Sequence, residues 1–181
     1  MLFDLDPVVC GVWSFLIRSS ADDIRRLPLL QHGQSVDDLA VCKEARHLIG
    51  FWCNKGTAAP RKRLSAWAAG SPGQFWGERI RERVASQVDA ISHWTITHGS
   101  YADISNTAAT WFVDPPYEVQ GKHYRCGSKG IDFPALGKWC RARQGQVIVC
   151  EQEGAKWLPF RSIGAFKSSR ARPSHEVVWL K

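Results

Sequence analysis

Apolar residues follow two different periods along the chain, and together these periods predict a protein of the α/β class. Short apolar runs, typical of strands, occur at residues 2–5, 95–98, 110–113 and 146–150. Apolar residues at helical spacing occur at 8–17, 43–56 and 75–91, and a short helix is predicted over 21–28. The last two segments, 161–167 and 176–181, are predicted to form an antiparallel pair at the edge of a sheet.

Capping residues indicate where several of these helices begin and end. Asp6 followed by Pro7 is typical of a helix start, because aspartate accepts a hydrogen bond from the first turn and proline fits the first helical position. The helix over 43–56 is expected to stop at Gly56, and Pro134 fits a helix over 131–145 only near its beginning. Residues 57–75 are rich in Pro and Gly and are predicted to form a loop.

Three acidic residues follow predicted strands directly. Asp4, Asp114 and Glu151 each come at the carboxyl end of an apolar run. In open parallel sheets, ligands bind beyond the carboxyl ends of the strands, because loops and helix N-termini converge there. The pattern therefore predicts a site at this edge, although Glu151 could equally be an acid that only caps the next turn.

The strand over 110–113 runs into an unusual corner, Asp114-Pro115-Pro116-Tyr117. Pro116 restricts the backbone of Pro115 to the extended region, which is expected to aim the Pro115 carbonyl outward. A carboxylate and a carbonyl side by side can accept both hydrogens of an exocyclic amino group on a nucleobase. Tyr117 could stack on the face of that base, or it could be a packed aromatic residue only.

Charge favours a polyanionic partner. The net charge is +7, and Lys and Arg occur in five clusters along a chain with nine tryptophans. A single basic cluster is usually a solvated surface, but five of them make nucleic acid the leading expectation.

Other classes of protein are less well supported. No apolar run is long enough for a membrane span, so a soluble cytoplasmic protein without a membrane partner is expected. The six cysteines lie too far apart for a CxxC metal motif and are interpreted as reduced, mostly buried thiols, with no metal site. Length and composition predict one domain over residues 1–181.

The corner at residues 114–117 resembles motif IV, (D/N/S)PP(Y/F), of the methyltransferases that modify adenine N6 or cytosine N4 in DNA. With its flanks, the chain is similar to the Dam-type DNA adenine methyltransferases, including phage and prophage versions. The resemblance implies a Rossmann-like sheet, mostly parallel with an antiparallel edge, S-adenosyl-L-methionine as methyl donor, and DNA as substrate. Asp114, Pro115, Pro116 and Tyr117 would then be the catalytic residues.

Two further motifs and a recognition segment follow from the same resemblance. Residues 3–7 are similar to motif II, in which Asp4 would accept hydrogen bonds from the ribose of the methyl donor, although Asp4 could also be only a helix-start acid. Residues 98–103 resemble motif III, in which Asp103 would bind the donor's adenine, with Ser100 standing where the acid is expected. Residues 54–95 correspond to a DNA-contacting insertion. The DNA-binding candidates are Lys55, Arg61, Lys62, Arg63, Lys122 and Arg125, of which the triplet 61–63 could also be a solvated loop.

The glycine-rich motif I of this family has no counterpart before Asp4 or after the corner. The resemblance thus implies an N-terminally truncated domain that lacks the first strand. A start assigned too far downstream, a decaying prophage gene or a second chain that supplies the missing segment would each explain this. Two alternatives stay open: an inactive, nucleic-acid-binding remnant of such an enzyme, and a methyltransferase for RNA or protein amides.

Overall fold

The computed structural model contains both helices and strands, and it describes residues 1–31, 33–54, 58–69, 73–167 and 173–181. The chain forms two compact units, Met1–Tyr101 and Ala102–Lys181. Both contain helices and parallel strands, and the second also has antiparallel strands. The α/β class is thereby confirmed, while the Rossmann-like arrangement of the strands stays a prediction.

The first unit is mainly helical. Its elements are β1 (Leu2–Asp4), α1 (Pro7–Arg18), α2 (Ala21–Arg25), α3 (Lys43–Phe51), α4 (Ala66–Ala69), α5 (Glu78–Val88) and β2 (Ile96–His98). β1 and β2 pair in parallel, with Asp4 opposite His98. Apolar side chains from the helices form the core, including the fully buried Ile24 and Ile49. Only Leu5 and Asp6 separate the carboxyl end of β1 from the start of α1.

The start of α1 confirms the capping prediction. The Asp6 side chain accepts a hydrogen bond of 2.8 Å from the Val8 N–H, and Pro7 occupies the first turn. The end of α3 differs from the prediction, because the helix stops at Phe51 and not at Gly56, which lies outside the described residues. Distant N–H groups bind the carbonyls at this end: Arg61 binds Gly50 at 2.9 Å, and Trp76 binds Trp52 at 3.0 Å.

The apolar stripe predicted over 75–91 lies in the core of the first unit. Trp76, Ile80 and Val88 are almost fully buried, and the Trp76 indole N–H donates to the Pro28 carbonyl at 2.9 Å. Arg79 and Arg83 are exposed, as predicted for the outward face of α5. The predicted loop over 57–75 contains the single helical turn of α4.

The second unit is built on a four-stranded sheet. Its elements are β3 (Trp111–Val113), α6 (Phe133–Ala142), β4 (Val147–Gln152), β5 (Arg161–Lys167) and β6 (Pro173–Leu180). The strand order is β3-β4-β6-β5, with β3 and β4 parallel and the other two pairs antiparallel. The predicted antiparallel pair is confirmed, but within this pair β5 is the edge strand, while β6 lies in the interior of the sheet between β4 and β5.

The two faces of this sheet differ in exposure. On one face, Val147, Val149 and Glu151 of β4 are almost completely buried. On the other face, Phe112 and Leu180 flank Ile148 in register, and they are 67% and 61% exposed. Asp114 follows β3 on this second, open face, because side chains alternate along a strand.

The cysteines form no disulfides. All six are free, and Cys10, Cys53 and Cys140 are buried. Burial raises the pKa of Cys53 and of Cys140 to about 11, so that these thiols stay protonated near neutral pH. The prediction of reduced thiols is confirmed, although only half of them lie in the core.

Candidate functional site at the end of β3

Asp114 lies where β3 ends, beside β4. The last paired residue of β3 is Val113, opposite Val149, which puts Asp114 next to Cys150. Asp114 is exposed, yet surrounding protein atoms desolvate its carboxylate and raise its pKa, and the Glu176 carboxylate raises that pKa further. Within the described part of the chain, no hydrogen-bond donor binds the Asp114 carboxylate or the Pro115 carbonyl. Both oxygen acceptors are therefore available to a ligand.

Gly121 packs against the proline corner. It is buried, and a Cβ at this position would lie 2.8 Å from the Cα of Pro116 and even closer to its carbonyl carbon. The Gly121 N–H donates to the Tyr117 carbonyl at 2.7 Å, which closes the turn that follows the corner. Only glycine permits this close approach of two backbone segments.

Glu151 anchors the same turn from the buried face of the sheet. Its carboxylate accepts hydrogen bonds from the N–H groups of Glu118 at 3.1 Å and Gln152 at 2.8 Å, and from the Trp157 indole at 3.1 Å. Burial nevertheless raises the pKa of Glu151, since desolvation outweighs these bonds. Glu151 could be a residue of the site or an acid that only caps a turn. These hydrogen bonds support the second interpretation.

Tyr117 is tied to the strand on the far side of β4. Its hydroxyl donates to Glu176 Oε2 at 3.0 Å, and the Ser174 hydroxyl donates to Glu176 Oε1 at 2.5 Å. Desolvation, the nearby Asp114 carboxylate and the bond to Glu176 all raise the pKa of Tyr117. Glu176 was not a candidate from the sequence. The only signal for it is a single acid that begins the apolar segment 176–181.

Asp4 is the last residue of β1 in the first unit, and its carboxylate already accepts a backbone hydrogen bond. Its Oδ1 accepts the Asp6 N–H at 2.7 Å, and burial raises the pKa of the carboxyl group. The hydrogen bond from the Leu5 backbone N–H also lowers this pKa, although by less than burial raises it. Asp103 is exposed in a short 3-10 turn, Tyr101–Asp103, and belongs to the second unit. The candidate residues are thus divided between the two units.

The basic candidates lie on exposed loops. Arg61, Lys62 and Arg63 are exposed in the first unit, and the Lys62 ammonium forms an ion pair of 2.7 Å with Asp37. Backbone hydrogen bonds from Arg61 N–H to Gly50 and from Val36 N–H to the Lys62 carbonyl fix the path of this triplet. Lys122 and Arg125 are exposed in the second unit, close after the corner in sequence. Lys55 lies outside the described residues.

Among the described residues, no group of three His, Cys, Asp or Glu side chains is arranged to hold a metal ion. Within the same residues, no helix has the length and apolar character needed to cross a membrane.

Comparisons with protein-family models, with curated proteins and with solved structures found no match for this chain. The fold and the site define a mixed α/β protein in which two oxygen acceptors at a strand end have no donor among the described residues. Any more specific assignment rests on the residues themselves.

Proposed function

We propose that this protein transfers a methyl group from S-adenosyl-L-methionine to the N6 amino group of adenine in DNA. The observation that carries the proposal is the pair of unengaged acceptors at the end of β3, the Asp114 carboxylate and the Pro115 carbonyl. An adenine amino group has two N–H bonds to donate. Two adjacent oxygens can accept both of these hydrogens. A hydroxyl or a ring nitrogen of the ligand would donate at most one hydrogen and would leave one oxygen without a donor.

The acceptors would also activate the nitrogen. The lone pair of an aromatic amine is delocalised into the ring, which makes the amine a weak nucleophile. Hydrogen bonds to two oxygens outside the ring plane favour tetrahedral geometry and localise that pair. The methyl donor, when bound, would supply a carbon attached to a positively charged sulfur. The sulfur would leave as a neutral thioether, and the methylated nitrogen would lose its proton to the Asp114 carboxylate or to solvent. The ionised carboxylate is the stronger acceptor, so the raised pKa of Asp114 implies that activity falls on acidification.

Tyr117 is the proposed stacking platform. Enzymes that modify a base within a duplex extrude it into a pocket, and aromatic side chains stabilise the extruded base by roughly 1 to 3 kcal/mol. Tyr117 is half-buried three positions after Asp114, which would place one side of a bound purine against a ring.

Each unit has one residue that we propose as a contact of the methyl donor. In the first unit, Asp4, whose Oδ1 already accepts the Asp6 N–H, is the proposed acceptor for a ribose hydroxyl. Asp103 would bind the donor's adenine. The proposal includes a Rossmann-like arrangement, supported by the parallel pairing of β1 with β2 and of β3 with β4.

DNA is the proposed partner because of charge and exposure. The net charge is +7, and Arg61, Lys62, Arg63, Lys122 and Arg125 are all exposed. Phosphate contacts by such residues provide affinity and position the protein, while the corner performs the chemistry. A cytoplasmic location follows from this proposed substrate.

The decisive variant is Asp114→Ala. Because it removes one of the two acceptors, we expect methyl transfer from isotopically labelled S-adenosyl-L-methionine to unmethylated duplex DNA to fall by at least about 100-fold. DNA affinity should stay within about threefold, since a carboxylate contributes nothing to phosphate contacts. Glu118→Ala is the matched control, because it removes an exposed carboxylate four positions away.

An Asp114→Ala variant that keeps the wild-type rate would exclude the proposed role. A wild-type chain that binds DNA but neither binds nor uses the methyl donor would instead identify a nucleic-acid-binding protein without this activity.

A further inference from the structure

Tyr117 and Glu176 are 59 positions apart in the chain, but their side chains meet on the second unit's sheet. Tyr117 belongs to the turn after β3, whereas Glu176 belongs to β6, the strand on the other side of β4. The Tyr117 hydroxyl therefore reaches past β4 to a carboxylate two strands away. Because Tyr117 is fixed at both its backbone and its hydroxyl, its ring has little freedom to rotate away from the corner.

The Glu176 carboxylate is itself held in place. Ser174 donates to Oε1 and Tyr117 donates to Oε2, so that each oxygen has one donor. Backbone pairing of Glu176 with Gln152 of β4 and with Gly164 of β5 fixes the strand from both sides. A carboxylate on an interior strand is a rigid support, because β6 cannot shift without breaking two ladders.

From this arrangement we propose that Glu176 is a positioning residue that holds the ring of Tyr117 beside Asp114 through the tyrosine hydroxyl. The inference rests on the proposed function and deepens it, since it explains how the stacking platform keeps its orientation while empty. Glu176 does not contact the base in this account. Glu176 acts through Tyr117, and the Ser174 hydroxyl orients the Glu176 carboxylate.

A second effect of the same carboxylate is electrostatic. Glu176 raises the pKa of Asp114, after the larger effect of desolvation, and it also raises the pKa values of Tyr117 and Cys150. The groups that face one another here are Asp114, Tyr117, Cys150 and Glu176. The hydrogen-bonding and charge effects can be separated, because an amide can replace the bonds but not the charge.

The experiment compares Glu176→Ala with Glu176→Gln in the full chain. Glutamine can accept the Tyr117 hydroxyl with its oxygen and donate to the Ser174 hydroxyl with its nitrogen, whereas alanine can do neither. We expect Glu176→Ala to lower kcat for DNA methylation by about 10- to 100-fold with little change in KM, because misplacement of a reacting group affects the chemical step. Glu176→Gln should retain most of kcat and shift the acidic limb of the pH profile to lower pH, because the charge that raises the pKa of Asp114 is gone.

Tyr117→Phe tests whether Glu176 acts through the hydroxyl. This variant keeps the ring but removes the donor, so combining it with Glu176→Ala should lower kcat no further than the more severe single change. Additive losses would overturn the proposal, because Glu176 would then act by a separate route.

A third measurement does not depend on activity. The protein has three tyrosines, so NMR of ring-labelled tyrosine can follow each hydroxyl, with Tyr117→Phe giving the assignment. In Glu176→Ala the Tyr117 Cζ resonance should shift, because the hydroxyl loses its hydrogen-bond acceptor, and in the control Glu118→Gln it should not.

The outcomes separate this inference from the proposed function. An unchanged Tyr117 Cζ resonance in Glu176→Ala, or an unchanged kcat accompanied only by a lower free energy of unfolding, would show that Glu176 is structural. If the wild type shows no methyl transfer but Glu176→Ala still shifts the Tyr117 Cζ resonance, the proposed function is refuted while the contact of Glu176 with Tyr117 stands.

Discussion

Carboxylates on the two faces of the four-stranded sheet have opposite roles. Glu151 points to the buried face and accepts three N–H groups, so its oxygens are fully used in structure. Asp114 lies on the open face, and no donor in the described part of the chain binds its carboxylate. A buried, bonded acid supports stability, whereas an exposed acid with unused acceptors is available for chemistry.

Removing the Glu151 carboxylate should destabilise the second unit. In Glu151→Ala, the Trp157 indole and the Glu118 N–H lose their acceptor, and we expect the free energy of unfolding to fall by about 2 to 4 kcal/mol. Urea denaturation measures this. Glu153→Ala is the control, because among the described residues its exposed carboxylate has only a long contact of 3.6 Å, with His175. This change should alter stability by less than about 0.5 kcal/mol. Equal effects of the two changes would contradict the anchoring role.

Among elements, the corner depends on the turn that packs beneath it. Gly121 has no room for a side chain because the Pro116 backbone occupies that space. The turn and the corner must therefore move together. The position of Pro116 in the corner thus depends on Gly121.

Gly121→Ala should disturb the corner without disturbing DNA binding. The added methyl group clashes with Pro116, so we expect kcat for methylation to fall by about 10-fold or more while the Kd for DNA stays within about threefold. Gly130→Ala is the matched control in the same loop, since its Cβ would meet nothing within 4 Å. If both variants retain the wild-type kcat, the corner does not need its observed position.

Local signals predicted the elements well, and long-range pairing explains what they missed. The start of α1 was predictable because Asp6 and Pro7 act within one turn. The end of α3 was not, because Arg61 and Trp76 bind its last carbonyls from distant segments. The position of β6 beside β4 and the approach of Glu176 to Tyr117 likewise depend on strand order, which apolar patterns do not encode. The Asp114–Tyr117 corner was visible because its four residues are consecutive.

For the whole molecule, the candidate residues belong to two units. Asp4 and the basic triplet 61–63 belong to the first unit, while Asp103, Asp114 and Lys122 belong to the second. Exposed cations occur in both, so DNA affinity is expected to depend on both. The contribution of each cluster can be measured separately.

Replacement of Arg61, Lys62 and Arg63 by alanine should reduce the salt dependence of DNA binding. If all three contact phosphates, the slope of log Kd against log salt should flatten by roughly 2 to 3 units. Because the Lys62 ammonium already forms an ion pair with Asp37, we expect the slope to change by about 2 units. Arg26→Ala is the control, because the Arg26 guanidinium already binds Asp23 at 2.6 Å and should leave the slope unchanged. An unchanged slope in the triple variant would exclude the triplet from the DNA interface.

The central claim concerns the atom that receives the methyl group, and analysis of the product tests it most directly. Unmethylated duplex DNA is incubated with the protein and S-adenosyl-L-methionine, digested to nucleosides and examined by mass spectrometry. The account predicts N6-methyldeoxyadenosine from the wild type and none from Asp114→Ala. A methyl group on any other atom, or none from a wild-type protein that binds both the donor and DNA, would contradict it.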